Sequence, residues 1–143
     1  MKKEKLNSLI NNKAFVLGVM GLLFGVILYV GMQESNQYRS DILKNPTIVN
    51  GVVIEAKYKQ KLGVVVKYKF DFNYSVYYSE TSSSGYASVR HLLANKIFPV
   101  IINIDNPEKN QILILPEDFK NYDLGFPDSL SWLVQAVKSR KWD

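Results

Sequence analysis

Few side chains in this sequence have the type and spacing that chemistry requires. His91 is the only histidine. A catalytic imidazole needs a nucleophile or an orienting carboxylate brought to it by the fold. A metal site needs further N, S or O ligands, and the chain has no H-x-x-x-H pair and no cysteine. Beside Arg90, His91 therefore reads as a solvated surface residue, and neither a metal nor a cofactor is expected. Glu117 and Asp118 follow Pro116. As an acid and base they would need environments that separate their pKa values. Adjacent residues point apart and nothing apolar is expected to enclose these two, so they read as helix-starting or turn residues. Ser82, Ser83 and Ser84 lack the G-x-S-x-G context of a nucleophilic serine. The reading is of a protein that is not an enzyme.

Two other sets of residues are spaced for contact rather than catalysis. Lys57, Lys59, Lys67 and Lys69 recur at alternate positions, so in paired strands they share the wet face. Such a face can hold an acidic partner or lipid headgroups. It also keeps a sheet soluble and discourages strand-to-strand aggregation, and Glu55 and Asp71 in the same rows dilute the field. Ala14, Gly18, Gly21 and Gly25 recur at four, three and four residues, which places them on one side of a helix. Gly21-Leu22-Leu23-Phe24-Gly25 is a G-x-x-x-G match. Small side chains let helix backbones approach closely, a principal attraction between helices in lipid.

The glycines lie in the element that dominates the chain. Residues 14–32 run without a charge, and at about 1.5 Å per residue a helix of that length spans roughly 28 Å, close to the hydrocarbon thickness of a bilayer. It is apolar all round, unlike the amphipathic helix of a small soluble domain. Four lysines (Lys2, Lys3, Lys5, Lys13) against Glu4 precede it, whereas Arg39 and Lys44 are the basic residues that follow closely. The positive-inside rule then keeps residues 1–13 cytoplasmic as a basic tip and puts the rest of the chain outside. A run longer than a signal h-region, with no small-x-small cleavage site after it, reads as an uncleaved signal-anchor. The excess of lysine over arginine and the frequent asparagine point to an AT-rich, bacterial genome. The expected location is the bacterial inner membrane, with the C-terminal domain periplasmic. Much of the net charge of +5 sits in the basic tip, where topology and anionic headgroups account for it. No nucleic-acid partner is expected.

Beyond a polar linker at 33–46, residues 47–143 are long enough for one hydrophobic core. From Gly51 to Ser79 the pattern alternates with period two. Val52, Ile54, Ala56 and Tyr58, then Val64, Val66, Tyr68, Phe70 and Phe72, then Val76 and Tyr78 occupy the expected inward phase. Aromatic residues in that phase read as core rather than as a base-stacking platform. Turns near Gln60–Gly63 and Asn73–Ser75 make the three strands a meander. Thr81–Gly85 reads as a loop. Val89, Leu92 and Leu93 fall at helical spacing within residues 86–96, a short helix crossing the sheet. Two isoleucine-rich strands, Phe98–Ile104 and Gln111–Leu115, flank a turn over residues 105–110, in which proline presets φ and Asx side chains bond the backbone.

Asp128 or Ser129 after Pro127 can start a last helix. Its stripe is Leu130, Leu133, Val134 and Val137, and Lys138, Arg140 and Lys141 suit the dipole of its last turn. Trp132 and Trp142 would anchor this helix if it lay on a bilayer; the narrow stripe favours packing on the sheet. The fold class is α+β: one N-terminal transmembrane helix, a five-stranded, mainly antiparallel β domain, one short crossing helix and a C-terminal amphipathic helix.

Several motifs together resemble the bacterial domain-of-unknown-function 3592 family. They are Gly51-Val52-Val53-Ile54-Glu55, Val66-Lys67-Tyr68-Lys69-Phe70, Tyr77-Tyr78, and Phe98-Pro99-Val100-Ile101-Ile102-Asn103-Ile104-Asp105-Asn106-Pro107. The resemblance covers about residues 50–115. Here Ile104-Asp105-Asn106-Pro107 keeps the family's Asn-Pro and lacks the tyrosine and proline before it, and Asn73-Tyr74-Ser75 stands where the family has glycine. The resemblance implies a small β domain tethered to a membrane helix and no activity. The functional expectation is a non-enzymatic single-pass membrane protein acting through protein–protein contacts. Its expected partners are membrane lipid and other membrane protein subunits of a larger complex, with homo-oligomerisation as a further option. The alternative is a membrane-tethered binding module such as a toxin-immunity protein.

Overall fold

The computed structural model describes residues 13–139. It divides into two units, residues 1–40 and residues 41–143. Residues 1–12 of the basic tip, the side chains of residues 13–15 (Ala14 among them), and Arg140, Lys141 and Trp142 lie outside what is described. Helix α1 spans Lys13–Leu43. From Val16 onward it is long and apolar enough to cross a membrane, and its apolar window is wholly unburied. An apolar run in lipid has to satisfy every backbone N–H and C=O within itself, which a helix does. The helix does not stop at Met32. Residues 33–43, expected as a linker, are helical as well.

The second unit begins on the last turn of α1. Ile42 is fully buried in the core of this unit. The carbonyl of Asp41, one of those that a helix C-terminus leaves without an intrahelical partner, accepts a 2.6 Å bond from Asn103 Nδ2. Five strands follow: β1 (Pro46–Lys59), β2 (Gly63–Phe72), β3 (Ser75–Ser83), β4 (Ile97–Asn103) and β5 (Asn106–Ile112). All described pairings are antiparallel, in the order β3-β2-β1-β4-β5. The meander continues in β4, which lies beside β1, and this makes a Greek key. The outer strands also approach each other, with Gln111 Nε2 of β5 donating to Thr81 Oγ1 of β3 at 3.1 Å. The result is a curled five-stranded sheet whose two outer strands are drawn together at this bond. Tyr68 OH of β2 donates to Asn110 Oδ1 of β5 at 2.7 Å.

Strand β1 bends because its two halves serve different partners. Pro46–Val52 pairs with β4 and Gly51–Lys59 with β2. At the overlap, Gly51 lies between Phe70 and Phe98, both buried. A Cβ there would stand 2.5 Å from Val100 Cγ2. A bulge follows between Val53 and Glu55, and it overturns part of the expected phase. Gly51 and Val53 face inward before it and Ala56 after it, whereas Ile54 is 46% exposed and Val52 half-buried. Tyr58 projects from the strand end and is 61% exposed.

The β2–β3 turn corrects the phase of β3. Asn73 and Tyr74 both have positive φ (48° and 61°), as a two-residue type I′ hairpin requires. That turn pairs Phe72 with Ser75, and therefore Phe70 with Tyr77. Tyr77 stacks on Phe70 with ring centroids 5.3 Å apart, while Val76 and Tyr78 point out. Of the expected loop, Thr81–Ser83 are strand, and Ser84–Ser88 form a 3₁₀ turn in which Ser83 Oγ accepts from Gly85 N–H. Helix α2 is a single turn, Arg90–Leu93. Strand β5 starts at Asn106, earlier than expected, after a tight turn at Ile104 and Asp105. The Asx side chains do bond local backbone there: Asn103 Oδ1 accepts from Asp105 N–H, and Asn110 Nδ2 donates to Pro107 O and Glu108 O.

Helices α3 (Pro116–Lys120) and α4 (Ser131–Ser139) complete the unit. Leu130, on a 3₁₀ turn at Asp128–Leu130 just before α4, and Leu133 join the core cluster, and Val137 packs against it. The segment therefore packs on the sheet through Leu130, Leu133 and Val137, while Val134 of the expected stripe lies outside the cluster.

Two outcomes follow. Gly51→Ala should destabilise the domain by about 1–3 kcal/mol, the usual cost of forcing extra volume into a packed core, read as a lower urea midpoint. Tyr74→Gly should stabilise it by about 0.5–1 kcal/mol, because a side chain in the left-handed region costs about 1–2 kcal/mol and glycine returns part of that as chain entropy. Tyr74→Ala, which keeps a Cβ, should bring no such gain.

Candidate contact faces

The outer surface of β1, β2 and β3 is one continuous face, and the strand registers fix its contents. Glu55 pairs with Lys67, and Lys67 with Glu80; Val52 pairs with Lys69, and Lys69 with Tyr78. Lys57, Lys59, Lys67 and Lys69 are all exposed on this side, so the four lysines do come to one face. They alternate with acids rather than forming a uniform field. Lys57 Nζ lies 2.5 Å from Glu55 Oε1. That hydrogen bond, with the charges of Lys57, Lys67 and Lys59, holds the Glu55 carboxyl below the usual glutamate value.

Apolar side chains fill the spaces between these charges. Ile54, displaced outward by the bulge, Val76 and Tyr78 are exposed there, Tyr78 to 72%. Ile54, Lys67, Tyr78 and Glu80 line a shallow groove of about 260 Å³ with Tyr68 and Ser79. Sequence periodicity assigned Ile54, Val76 and Tyr78 to the core. The signal that places them outside is the turn: counting outward from a two-residue Asn73-Tyr74 hairpin puts Tyr77, not Tyr78, opposite Phe70.

On α1, Gly18, Gly21 and Gly25 have nothing within 4 Å of where a Cβ would stand. Leu17, Leu22, Phe24 and Ile27 around them are well exposed. His91 is an exposed residue of α2, on a different element from the lysine rows. Among the described residues, no three His, Asp or Glu side chains gather where they could hold a metal ion.

The carboxylates after Pro116 part company. Glu117 is exposed, and Asp118 is half-buried, against the expectation that neither would be enclosed. Asp118 Oδ2 accepts from Tyr86 OH at 3.0 Å, Ile114 N–H at 3.0 Å and Leu115 N–H at 2.8 Å. The two backbone bonds start α3, as a helix-starting residue would, and the phenol ties that start to the 3₁₀ turn. Burial outweighs these bonds and raises the Asp118 carboxyl above the usual aspartate value. The Tyr86 phenol is pushed up by its own burial and by the neighbouring Asp118 carboxylate. The arrangement is a structural clasp with its donors saturating one oxygen. A family model, a curated protein or a solved structure that matches this chain was not found in any of the three comparisons.

The clasp has two measurable consequences. Asp118→Ala would leave a buried phenol and two backbone N–H groups without their acceptor, at a cost of about 2–3 kcal/mol; Asp118→Asn keeps an acceptor and should cost less. Because the folded carboxyl holds its proton to higher pH than the unfolded one, the folded state binds more protons between the two pKa values. The contribution of Asp118 to stability should therefore decline as pH rises from the ordinary aspartate value through the folded one. Urea unfolding of the full chain and of Asp118→Asn from pH 3 to 7 reads this as a wild-type advantage that shrinks with rising pH. A constant or growing advantage would contradict it.

Proposed function

We propose that this chain is a non-enzymatic, single-pass protein of a bacterial inner membrane, held with its basic tip in the cytoplasm and its β domain on the periplasmic side. In this role it acts by contact with other membrane proteins, as an accessory subunit of a larger assembly. The observation that carries the reading is helix α1. Its large apolar side chains are exposed from Val16 to Met32, a surface that water would penalise and lipid would not. The charge asymmetry about that run supports the orientation. The outer face of β1–β3 supports action by contact, since it presents Ile54, Val76 and Tyr78 among alternating lysines and acids. The resemblance carried by the strand motifs adds a tethered β domain and no activity.

Within α1 the glycines are where another helix could come closest. Gly21→Leu with Gly25→Leu keeps the helix apolar while closing that approach. The tagged full-length double variant, purified in mild detergent, is expected to lose proteins that accompany the parent chain. Unchanged co-purification would count against the glycine contact, and recovery of the parent chain from the soluble fraction would count against the membrane role itself.

A further inference from the structure

The two edges of the sheet are built differently. Strand β5 carries Pro107 and Lys109, and its ladder with β4 is broken by a register shift between Ile102 and Asn103. Proline, lysine and irregular pairing are the devices by which natural sheets keep an edge from accepting another strand. Strand β3 has none of these three, and its one charged residue is Glu80. Its sequence, Ser75-Val76-Tyr77-Tyr78-Ser79-Glu80-Thr81-Ser82-Ser83, contains no proline, lysine or arginine. It pairs with β2 in unbroken register from Ser75 to Ser83, and among the described residues it is the outermost strand, with β2 its only ladder partner. Near its far end Thr81 is tied to Gln111 of β5, so the open edge is the stretch before Thr81. That stretch carries Val76 and Tyr78, exposed beside the groove of Ile54, Lys67 and Glu80.

From this asymmetry we infer that the β3 edge is a docking site for the β3 edge of a second copy of this chain, in antiparallel register with the two-fold axis at Tyr78. Charge and register confine the centre to residues 77–79, and Tyr78 is taken as the centre because it is the strand's most exposed aromatic residue. In an antiparallel pair, residues directly opposite share a face, so a two-fold axis passes through a residue position. An axis at Glu80 would set two carboxylates face to face, which is destabilising. An axis at Val76 would bring the hairpin turn into the ladder. An axis at Tyr78 pairs Tyr78 with its counterpart, Tyr77 with Ser79, and Val76 with Glu80, with no like charges opposed. It puts the most exposed aromatic residue of the strand against its own copy, a favourable cross-strand pair, and continues the sheet through an isologous contact. The two Glu80 residues then stand four positions apart, about 13–14 Å along the strand, each beside the Lys67 of its own sheet. The inference names a partner for the contact face and holds whether or not the helix glycines pack on another helix.

The absence of native cysteine makes the test direct. Single-cysteine versions of the full chain are oxidised in membranes and run without reductant. In the Tyr78-centred pair the Cα atoms at position 78 are about 4.5–5.5 Å apart, within disulfide reach. Tyr78→Cys is therefore expected to give a covalent dimer. Glu80→Cys, on the same strand and face, is expected to give little. Equal cross-linking at both positions, at neither, or to a different protein would overturn the inference. In mild detergent, Tyr78→Lys is expected to convert the dimer to monomer by light scattering, while Gly21→Leu with Gly25→Leu leaves it dimeric. A parent chain that is already monomeric, or a Tyr78→Lys chain that stays dimeric, would equally overturn it; in the second case, loss of the dimer in the glycine variant would place self-association in the helix.

Discussion

Strand β1 has to satisfy two ladders that lie at an angle to each other, β4 along its first half and β2 along its second. Gly51 and Val52 belong to both, and at Gly51 the Val100 side chain leaves no room for a Cβ. Two positions later the bulge adds a residue to β1, which bends the strand and increases its twist. It is held from the other side as well, where Asn95 N–H donates to Val53 O and Val53 N–H to Lys96 O. The bulge also has a price in surface chemistry, because the extra residue is Ile54 and it is left outside. The architecture of the domain and the apolar spot on its outer face have the same origin.

A curled sheet this small cannot close on apolar side chains alone, and the polar groups it buries are each given partners. Asn110 accepts from Tyr68 OH and donates to two carbonyls. Asn103 accepts from the turn and donates to Asp41 O. An unpaired amide in these positions would cost about 1–3 kcal/mol. Asn103 joins the helix end to the β4–β5 turn, since one side chain donates to Asp41 O and accepts from Asp105 N–H. Ile104 N–H adds to this by donating to Asn45 O. The Asp118 clasp does the same for the start of α3.

What could be read from residues alone was the information carried by local pattern. The apolar run is helical as expected, and the alternation in β2 and Leu133 and Val137 of the α4 stripe report burial along one element. Three kinds of information were not local. The bulge in β1 depends on what pairs with Val53 from Asn95 and Lys96, and so Ile54 was assigned inward. The phase of β3 was hidden by two consecutive tyrosines, either of which suits a core; turn length, not hydrophobicity, decides between them. Residues 33–43 are polar enough to resemble a connector, yet Ile42 is a core residue, and a single buried side chain leaves no periodic trace. The lysine rows were readable because β2 has no irregularity. Their neutralisation by Glu80 was not, since it follows from the β3 register.

These corrections change the character of the contact face. With Tyr78 inside, β1–β3 would present a lysine-rich surface suited to an acidic partner. With Ile54, Val76 and Tyr78 outside and Glu55 and Glu80 set against lysines, no single sign of charge prevails, and long-range attraction for a strongly acidic surface is lost. Mixed charge around exposed apolar groups favours short-range recognition, in which register and shape decide the partner and charge excludes wrong alignments. A membrane anchor makes such weak, short-range contacts effective by confining the partners to one surface and raising their effective concentration. In the proposed role, helix and sheet would act on different aspects of recognition: α1 would restrict where the protein is found, and the uneven protection of the two sheet edges what can join it.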